Sequence, residues 1–480
     1  MKSVNRKTDH GSWVLLAIVA AFLFRFWKLK SAPFILDEPT FELILDDDFK
    51  SGILPQHTLV GSRGVPYGPF VLWWHGLWRF LSDSLAVVFV ANILAFAATF
   101  AAFYAVVKRS CGKTPALFAL ALAVSSPFFF FYSRLVWDVV LLPATTSLLL
   151  LAISWLEERD SKSAWALLGV GAGMAFDIHL MVLPILAAAG VVALYLGWKR
   201  RAWQGIALAA LVFLLITSPY LLVLKNSKYT AATFYGKFPY STLREALGVF
   251  QFFTPHGMQY FFDGALSSYM PAVIEPQLLV LPGFNYMVAG LLCLAVVMFG
   301  LRLAKGKETS PVLLLSVLSF FFLLLYYALV PVPWRHPHYF LPVWWLGALF
   351  TAFTLARVRE RFQLPLKILV GFVIATNFIF TVTTFSAVYE RRGTLGIHYG
   401  PGFAEIEGAV VEICEAMKVR SLTTAAIDIS RAYGSFDPSY RYFAHHREEC
   451  KGLTLVFAGE NPQFKVVHPE IPQDARLIVQ

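Results

Sequence analysis

A hydrophobic run, WVLLAIVAAFLFRFWKL over residues 13–29, is followed after a short interval by the paired acids Asp37 and Glu38. The run is close to the roughly 20 mostly apolar residues that a helix needs to cross a bilayer. The two acids open a loop that ends at Tyr67-Gly68-Pro69. This pattern predicts two carboxylates just outside a membrane-spanning helix, where a lipid-borne molecule and a soluble one can meet.

The composition of the whole chain is that of a membrane protein. Of its 480 residues, 58% are hydrophobic and 15% are charged, and the mean hydropathy is +0.62. Apolar stretches of spanning length recur, which predicts a polytopic α-helical membrane protein. The net charge of +10 does not indicate nucleic-acid binding, because the excess lies in short loops between apolar segments.

The hydrophobic pattern predicts about eleven spans with the N-terminus in the cytoplasm. Short loops on the N-terminal side carry about twice as many Lys and Arg residues as the longer loops opposite. With an odd number of spans, the C-terminus is then outside. The predicted spans are 13–29, 84–107, 115–131, 139–156, 164–181, 182–198, 205–224, 284–301, 311–330, 339–356 and 367–386.

Two outer loops, at about 30–83 and 225–281, are too long to be simple turns. Each contains an aromatic-rich amphipathic stretch, at 70–81 and 243–262, which is typical of a helix lying in the membrane interface.

The tail, residues 387–480, has the composition of a soluble domain, and we expect it to be separate from a membrane module at 1–386. Cys414 and Cys450 both lie in it, and they form a disulfide if the tail is extracytoplasmic; two buried free thiols are the alternative. Helices predicted near 402–418 and 438–446, with strands at 422–429, 453–457, 464–467 and 476–479, indicate a small α/β domain.

The acids of the first outer loop are the first candidates for chemistry. A carboxylate just outside a span can act as a general base toward a hydroxyl group. The alternative is that Asp37 and Glu38 are solvated loop anions. The nearby triplet Asp46-Asp47-Asp48 either binds a divalent cation or, more commonly, forms a solvated face.

A second cluster, Tyr132–Asp138, follows the third predicted span. Arg134 is of the residue type that binds phosphate in a bidentate manner, and charged groups at membrane depth are often functional. Alternatively, Arg134 extends to lipid headgroups with Asp138 as its partner.

Two further segments carry histidines at the outer interface. His179 ends the fifth predicted span, where a lone histidine is usually structural. Arg335, His338 and Tyr339 precede the tenth span and suit a lipid phosphate, or else they form an aromatic and basic membrane belt. His336 and His338 are spaced to share a metal, but no third ligand lies nearby in sequence.

The sequence contains no P-loop and no GxGxxG motif, so a nucleotide-driven reaction is not expected. An active site on the outer face must receive its activated substrate already in the membrane.

In their order along the chain, these motifs resemble the membrane glycosyltransferases of the GT-C superfamily. They are most similar to bacterial relatives of the protein O-mannosyltransferases and of the lipid A aminoarabinose transferase. The resemblance covers about residues 12–390. Its motifs are Phe24–Trp27, Asp37-Glu38, Val60–Gly64 with Tyr67-Gly68-Pro69, Ser133-Arg134 with Trp137-Asp138, His179 with Leu180–Pro184, and His338–Pro342.

The resemblance implies roles for individual residues. Asp37 would be the catalytic carboxylate, Glu38 its supporting neighbour and Asp138 a second acid. Pro39, directly after the acid pair, departs from the family pattern but fits the first turn of a helix. Arg134 and the 335–339 group would lie near the donor phosphate. The implied substrate-binding residues are Arg63, Tyr67, Arg134, His179, Arg335, His338 and Tyr339.

The implied activity is an inverting glycosyltransferase of the cytoplasmic (inner) membrane, with its active site on the outer face. The donor is a sugar on a polyprenyl phosphate, and the acceptor is a hydroxyl of a cell-envelope lipid, glycan or protein. No cofactor is required, although a divalent cation is compatible with the site.

Two alternatives use similar parts. A transporter or flippase of a lipid-linked sugar would need the lipid groove and the arginines but no catalytic acid, and a polysaccharide polymerase or ligase would have a different motif order. The absence of paired halves and the position of the acids at the membrane rim favour the transferase.

Overall fold

The computed structural model describes residues 10–34, 37–59, 65–226, 252–255, 258, 290, 310–329, 337–391, 393, 402–427 and 437–457. This part of the chain is mainly helical. Its α-helices are α1 His10–Leu23, α2 Asp37–Lys50, α3 Phe70–Arg79, α4 Ala86–Cys111, α5 Lys113–Ser125, α6 Pro127–Tyr132, α7 Leu142–Glu158, α8 Lys162–Ile178, α9 Leu183–Arg200, α10 Trp203–Asn226, α11 Pro311–Leu329, α12 Leu346–Arg357, α13 Glu360–Glu390, α14 Phe403–Val419 and α15 Asp437–His446.

Six helical segments of the described chain are long and apolar enough to cross a membrane, so the protein is a multi-pass membrane protein. Shorter apolar helices, such as α5, accompany them. Each predicted span coincides with helical residues except 284–301, which lies almost entirely outside the described residues. The six segments are Ala86–Cys111, Asp138–Glu158, Leu180–Arg200, Trp203–Lys225, His338–Arg357 and Glu360–Glu390.

Close packing of α8 against α10 depends on two glycines spaced four residues apart. A Cβ atom on Gly169 would lie 2.4 Å from the Ala209 carbonyl oxygen, and one on Gly173 would lie 2.9 Å from Ile216 Cβ. Small residues at this spacing let two membrane helices approach closely, so that backbone and side-chain atoms of both are in contact.

The aromatic-rich stretch predicted at 70–81 is the helix α3. Leu77, Phe80 and Leu81 are exposed at its C-terminal end, whereas Val71, Leu72 and other residues of the opposite face are buried. This division suits a helix lying in the interface. The second amphipathic stretch, 243–262, falls almost entirely outside the described residues.

The described tail contains α14, α15 and two parallel strands, β1 Thr424–Ile427 and β2 Thr454–Phe457. These strands match two of the four predicted; those at 464–467 and 476–479 lie outside the described residues. The predicted disulfide is confirmed: Cys414 and Cys450 are bonded, with their Cα atoms 4.9 Å apart. The division of the chain at residue 386 stays a prediction.

The tail shares a hydrophobic core with the first outer loop. Phe34 contacts the rings of Phe403, Tyr442 and Phe443 at centroid distances of 5.8, 5.1 and 5.7 Å. The Phe403 N–H also donates to the Ala32 carbonyl oxygen at 2.7 Å. The tail therefore lies on the same side of the molecule as α2, as the sequence predicted.

We expect Gly169→Ala to destabilise the protein by about 1–3 kcal/mol, because the added methyl group meets the backbone of α10. Thermal unfolding in detergent measures the effect. Gly190→Ala in α9 is the matched control, since no atom lies within 4 Å of the new Cβ atom. Equal melting temperatures for the two variants would contradict the proposed basis of the α8–α10 packing.

Candidate active site

Asp37 is the first residue of α2, and Pro39 lies in the first turn of that helix. Proline is tolerated there because the first N–H groups of a helix have no partner within the helix. The departure from the family pattern is therefore compatible with the fold. Asp37 is exposed as a residue, while its carboxyl group is partly desolvated and accepts a hydrogen bond from the Trp137 side chain.

Asp138 places a second carboxylate close to Asp37. It begins a short 3-10 helix, Asp138–Leu141, that leads into α7. Its side chain is buried, and its Oδ1 accepts a hydrogen bond from the Val139 N–H at 2.7 Å. Asp138 is also within electrostatic reach of Asp37 and of Tyr67. The two carboxyl groups therefore lie close enough to interact, one on an exposed residue and one on a buried residue.

Tyr67 reaches the two acids from the loop before α3, and its backbone is fixed on both sides. The Tyr67 N–H donates to the Leu59 carbonyl, and the Gly68 N–H donates to the Asp177 carbonyl at 2.8 Å. A Cβ atom on Gly68 would lie 2.3 Å from Asp177 Oδ1, so the approach requires glycine. Asp177 Oδ2 then accepts the Phe70 N–H at 2.7 Å, at the start of α3.

The Tyr67 hydroxyl stays protonated at neutral pH. Burial raises the pKa of this phenol most, and the neighbouring groups Asp138, Tyr339, Asp37 and Tyr220 raise it further. Tyr67 therefore offers an O–H donor next to the two acids.

Two histidine rings pack against the aromatic side chains near the acids. The His179 ring lies 4.3 Å from that of Tyr67 and 6.4 Å from that of Tyr339. Its Nδ1 accepts the Met181 N–H at 3.0 Å, so the neutral ring carries its proton on Nε2 and can donate from there. The His338 ring lies 4.6 Å from Trp137 and 4.5 Å from Tyr339.

The structure thus brings together six residues that the sequence selected, and we name them the carboxylate–aromatic cluster. Sequence reasoning missed two neighbours of this cluster. Trp137 belongs to one of the motifs above, but its sequence position alone assigned it no role. Its indole N–H, one residue before Asp138, was the available signal. Tyr220, on α10, carried no local signal. The members of the cluster are Asp37, Tyr67, Asp138, His179, His338 and Tyr339.

Glu38 is placed differently from its neighbour Asp37. It is 4% exposed, and its Oε1 accepts the Val136 N–H at 3.2 Å. It therefore helps hold the segment that carries Trp137.

Arg134 is buried and directed to another group of residues. It donates to the Tyr389 hydroxyl and to the Lys28 carbonyl oxygen, and its guanidinium lies 4.9 Å from the Phe130 ring centre. No ion pair joins Arg134 to Asp138 within the described chain. Arg63, Arg335 and His336 lie outside the described residues.

The acidic triplet of α2 is not a uniformly solvated face. Asp46 pairs with Arg79 and His446, whereas Asp47 is exposed. Among the residues that the structure describes, no group of three or more His, Cys, Asp or Glu side chains could hold a metal ion.

The family described as dolichyl-phosphate-mannose-protein mannosyltransferase matches residues 66–222. The structure is similar to ArnT from Cupriavidus metallidurans in its apo state, with a TM-score of 0.56 and 15% identity over 94% of this chain and 86% of that chain. The structure is also similar to ArnT bound to undecaprenyl phosphate, with a TM-score of 0.57 and 14% identity, again over 94% of this chain and 86% of that chain. The chain shares the fold of these two ArnT structures.

A third solved structure is matched over a smaller share of its own length. The Archaeoglobus fulgidus oligosaccharyltransferase in complex with Zn and sulfate has a TM-score of 0.50 and 13% identity, over 96% of this chain and 64% of that chain. No curated protein matches the sequence. The resemblance to the GT-C glycosyltransferases, predicted from the ordered motifs, is confirmed.

Proposed function

We propose that the protein is an inverting glycosyltransferase that moves a sugar from a polyprenyl phosphate to a hydroxyl acceptor. The observation that carries the proposal is the carboxyl group of the exposed residue Asp37, held by Trp137 and within electrostatic reach of Asp138 and Tyr67, in a fold shared with ArnT. An exposed carboxylate is accessible to an acceptor, while its hydrogen bond fixes its direction.

The proposed reaction is a single displacement. The acceptor oxygen forms a bond to the anomeric carbon as the bond from that carbon to the phosphate oxygen breaks. Asp37 takes the acceptor proton, and polyprenyl phosphate leaves with the bonding electron pair. Attack opposite the leaving group inverts the anomeric centre. The arrangement of lipid-held donor and bound acceptor supplies much of the rate by proximity.

The leaving phosphate needs hydrogen-bond donors or cations. Tyr67 O–H and His179 Nε2–H are donors within the carboxylate–aromatic cluster, and we assign them to the donor sugar or its phosphate. We retain Arg335 and Arg63 as the proposed cationic ligands. Because the Arg134 guanidinium is engaged by Tyr389 and Lys28, we assign it to supporting this end of the site.

The proposal also specifies the membrane topology of the chain. About eleven spans, with the N-terminus in the cytoplasm, would put α2, the cluster and the tail on the extracytoplasmic face of the inner membrane. Residues 387–480 would form an extracytoplasmic α/β domain. The acceptor is a lipid, glycan or protein of the cell envelope. The reaction as written uses no cofactor.

We expect Asp37→Asn to lower transfer by about two orders of magnitude or more, because the amide cannot take a proton. The measurement is release of polyprenyl phosphate by reconstituted protein from a panel of polyprenyl-phosphate sugars, with cell-envelope extract as acceptor. Donor binding should persist. Asp47→Asn, an exposed aspartate on the same helix, is the matched control and should transfer at the wild-type rate.

Near-wild-type turnover by Asp37→Asn would overturn the assignment of the base. A transporter is distinguished in the same vesicles: it would carry intact donor between the leaflets without releasing polyprenyl phosphate, and Asp37→Asn would leave that movement unchanged. Because the proposed chemistry uses no metal, transfer should also persist in EDTA.

We expect the hydrogen bond from Trp137 to Asp37 to affect the pH dependence of the transfer rate. Although Asp37 is exposed as a residue, the surrounding protein partly desolvates its carboxyl group and so raises its pKa; the hydrogen bond from Trp137 partly opposes this by lowering the pKa. The base must be deprotonated, so transfer falls as the pH drops through this raised pKa. Trp137→Phe removes the hydrogen bond, raises the pKa further and moves the acid limb of kcat/KM to higher pH.

The matched control is Trp73→Phe, which removes an indole hydrogen bond to the Pro55 carbonyl oxygen instead. An acid limb that stays in place in Trp137→Phe, or that moves equally in both variants, would contradict the assignment of Asp37 as the titrating base.

A further inference from the structure

Three acids recur at four-residue spacing along α2: Glu38, Glu42 and Asp46. This spacing puts them on one face of the helix. Glu38 and Glu42 are buried, and the Asp46 side chain is 13% exposed. Burying a carboxylate costs free energy unless it is paired or hydrogen-bonded. The partners of these acids therefore determine the position and rotation of α2.

Glu42 joins α2 to α3. Its Oε1 lies 2.8 Å from His75 Nδ1, and its Oε2 accepts a hydrogen bond from Arg79 Nη1 at 2.6 Å. His75 and Glu42 are both fully buried. Since α3 begins directly after the loop that carries Tyr67, this pairing fixes Asp37 and Tyr67 relative to each other.

Asp46 joins α2 to the tail. Its Oδ1 lies 3.3 Å from Arg79 Nη2, and its Oδ2 lies 2.8 Å from His446 Nε2 on α15. Arg79 Nη1 is also 3.4 Å from the Tyr442 hydroxyl. Burial alone would raise the pKa of Asp46, but His446, Arg79 and Lys50 outweigh it and hold the pKa below its usual value. Asp46 is therefore an anion that the tail helps to neutralise.

The tail also holds the chain just before Asp37. The Ser439 hydroxyl donates to the Phe34 carbonyl oxygen at 2.6 Å, and the Phe403 N–H donates to the Ala32 carbonyl oxygen at 2.7 Å. The Cys414–Cys450 bond ties α14 to the residues that follow α15. The tail thus contacts the chain on both sides of Asp37, at residues 32–34 and at Asp46.

We propose that the tail positions the base: His446, acting through Asp46, sets the rotation and depth of α2 so that the Asp37 carboxylate faces Trp137 and the carboxylate–aromatic cluster. This inference rests on the proposed function, because it takes Asp37 as the base. Asp46 and His446 are positioning residues that touch no substrate. The contacts of the tail favour a role as a support for α2.

The test uses full-length protein carrying His446→Ala or Asp46→Asn, each in the wild-type and the Asp37→Asn backgrounds. In the wild-type background we expect kcat to fall by about 10- to 100-fold, because displacing a catalytic group by about 1 Å has effects of that size. The KM values for donor and acceptor should stay near wild type. In the Asp37→Asn background neither change should lower the residual rate further, because the group being positioned is already inactive.

His446→Gln keeps an N–H donor for Asp46 and should recover much of the lost rate, which also covers the case in which His446→Ala folds poorly. Asp47→Asn, one residue from Asp46 but exposed, serves as the control and should keep the wild-type kcat.

Three results would overturn the proposal: a wild-type kcat in both His446→Ala and Asp46→Asn, a raised acceptor KM at unchanged kcat, or an equal further loss in the Asp37→Asn background. The second result would assign the tail to acceptor binding. An active Asp37→Asn single variant would instead refute the proposed function, so the two failures are distinguishable.

Discussion

The seating of α2 depends on the buried carboxylate of Glu42. An ionised group without solvent must be neutralised and hydrogen-bonded; Arg79 donates to Glu42 Oε2, and His75 Nδ1 of the same neighbouring helix lies 2.8 Å from Oε1. Removing one partner would leave a buried charge without compensation. The pairing therefore fixes the angle between α2 and α3, and the positions of Asp37 and Tyr67 at the beginnings of these helices follow from it.

The same helix shows how one residue type takes different roles according to its surroundings. Asp37 is exposed and held by one indole hydrogen bond, which leaves its carboxylate accessible to an acceptor. Glu38 and Glu42 are buried and have partners within the protein, so they stabilise the helix position. Asp46 sits between membrane module and tail. The acids of α2 thus connect the proposed chemistry to the packing of the C-terminal residues.

Much of the site was predictable because its residues occur in short motifs at the ends of predicted spans. A span end fixes both depth and side of the membrane, so residues far apart in sequence are expected in one layer. That expectation grouped Asp37 with Tyr67, His179 and Tyr339. It gave Glu38 and Arg134 the same weight, although the structure directs both to other partners. Sequence position sets the depth of a residue, whereas the direction of its side chain depends on helix rotation.

The sequence by itself determined the membrane class, most helical segments and the likeness to GT-C transferases, because hydrophobic length and motif order are local or additive properties. It left the Cys414–Cys450 disulfide open against two free thiols, since a disulfide requires the two Cα atoms to be close in space. Only the tertiary structure decided which acid is exposed and which acids are buried, that Trp137 holds Asp37, and that the tail contacts α2. The reason is physical. Burial and pairing depend on neighbours contributed by distant parts of the chain, and His446 meets Asp46 only after both helices have packed.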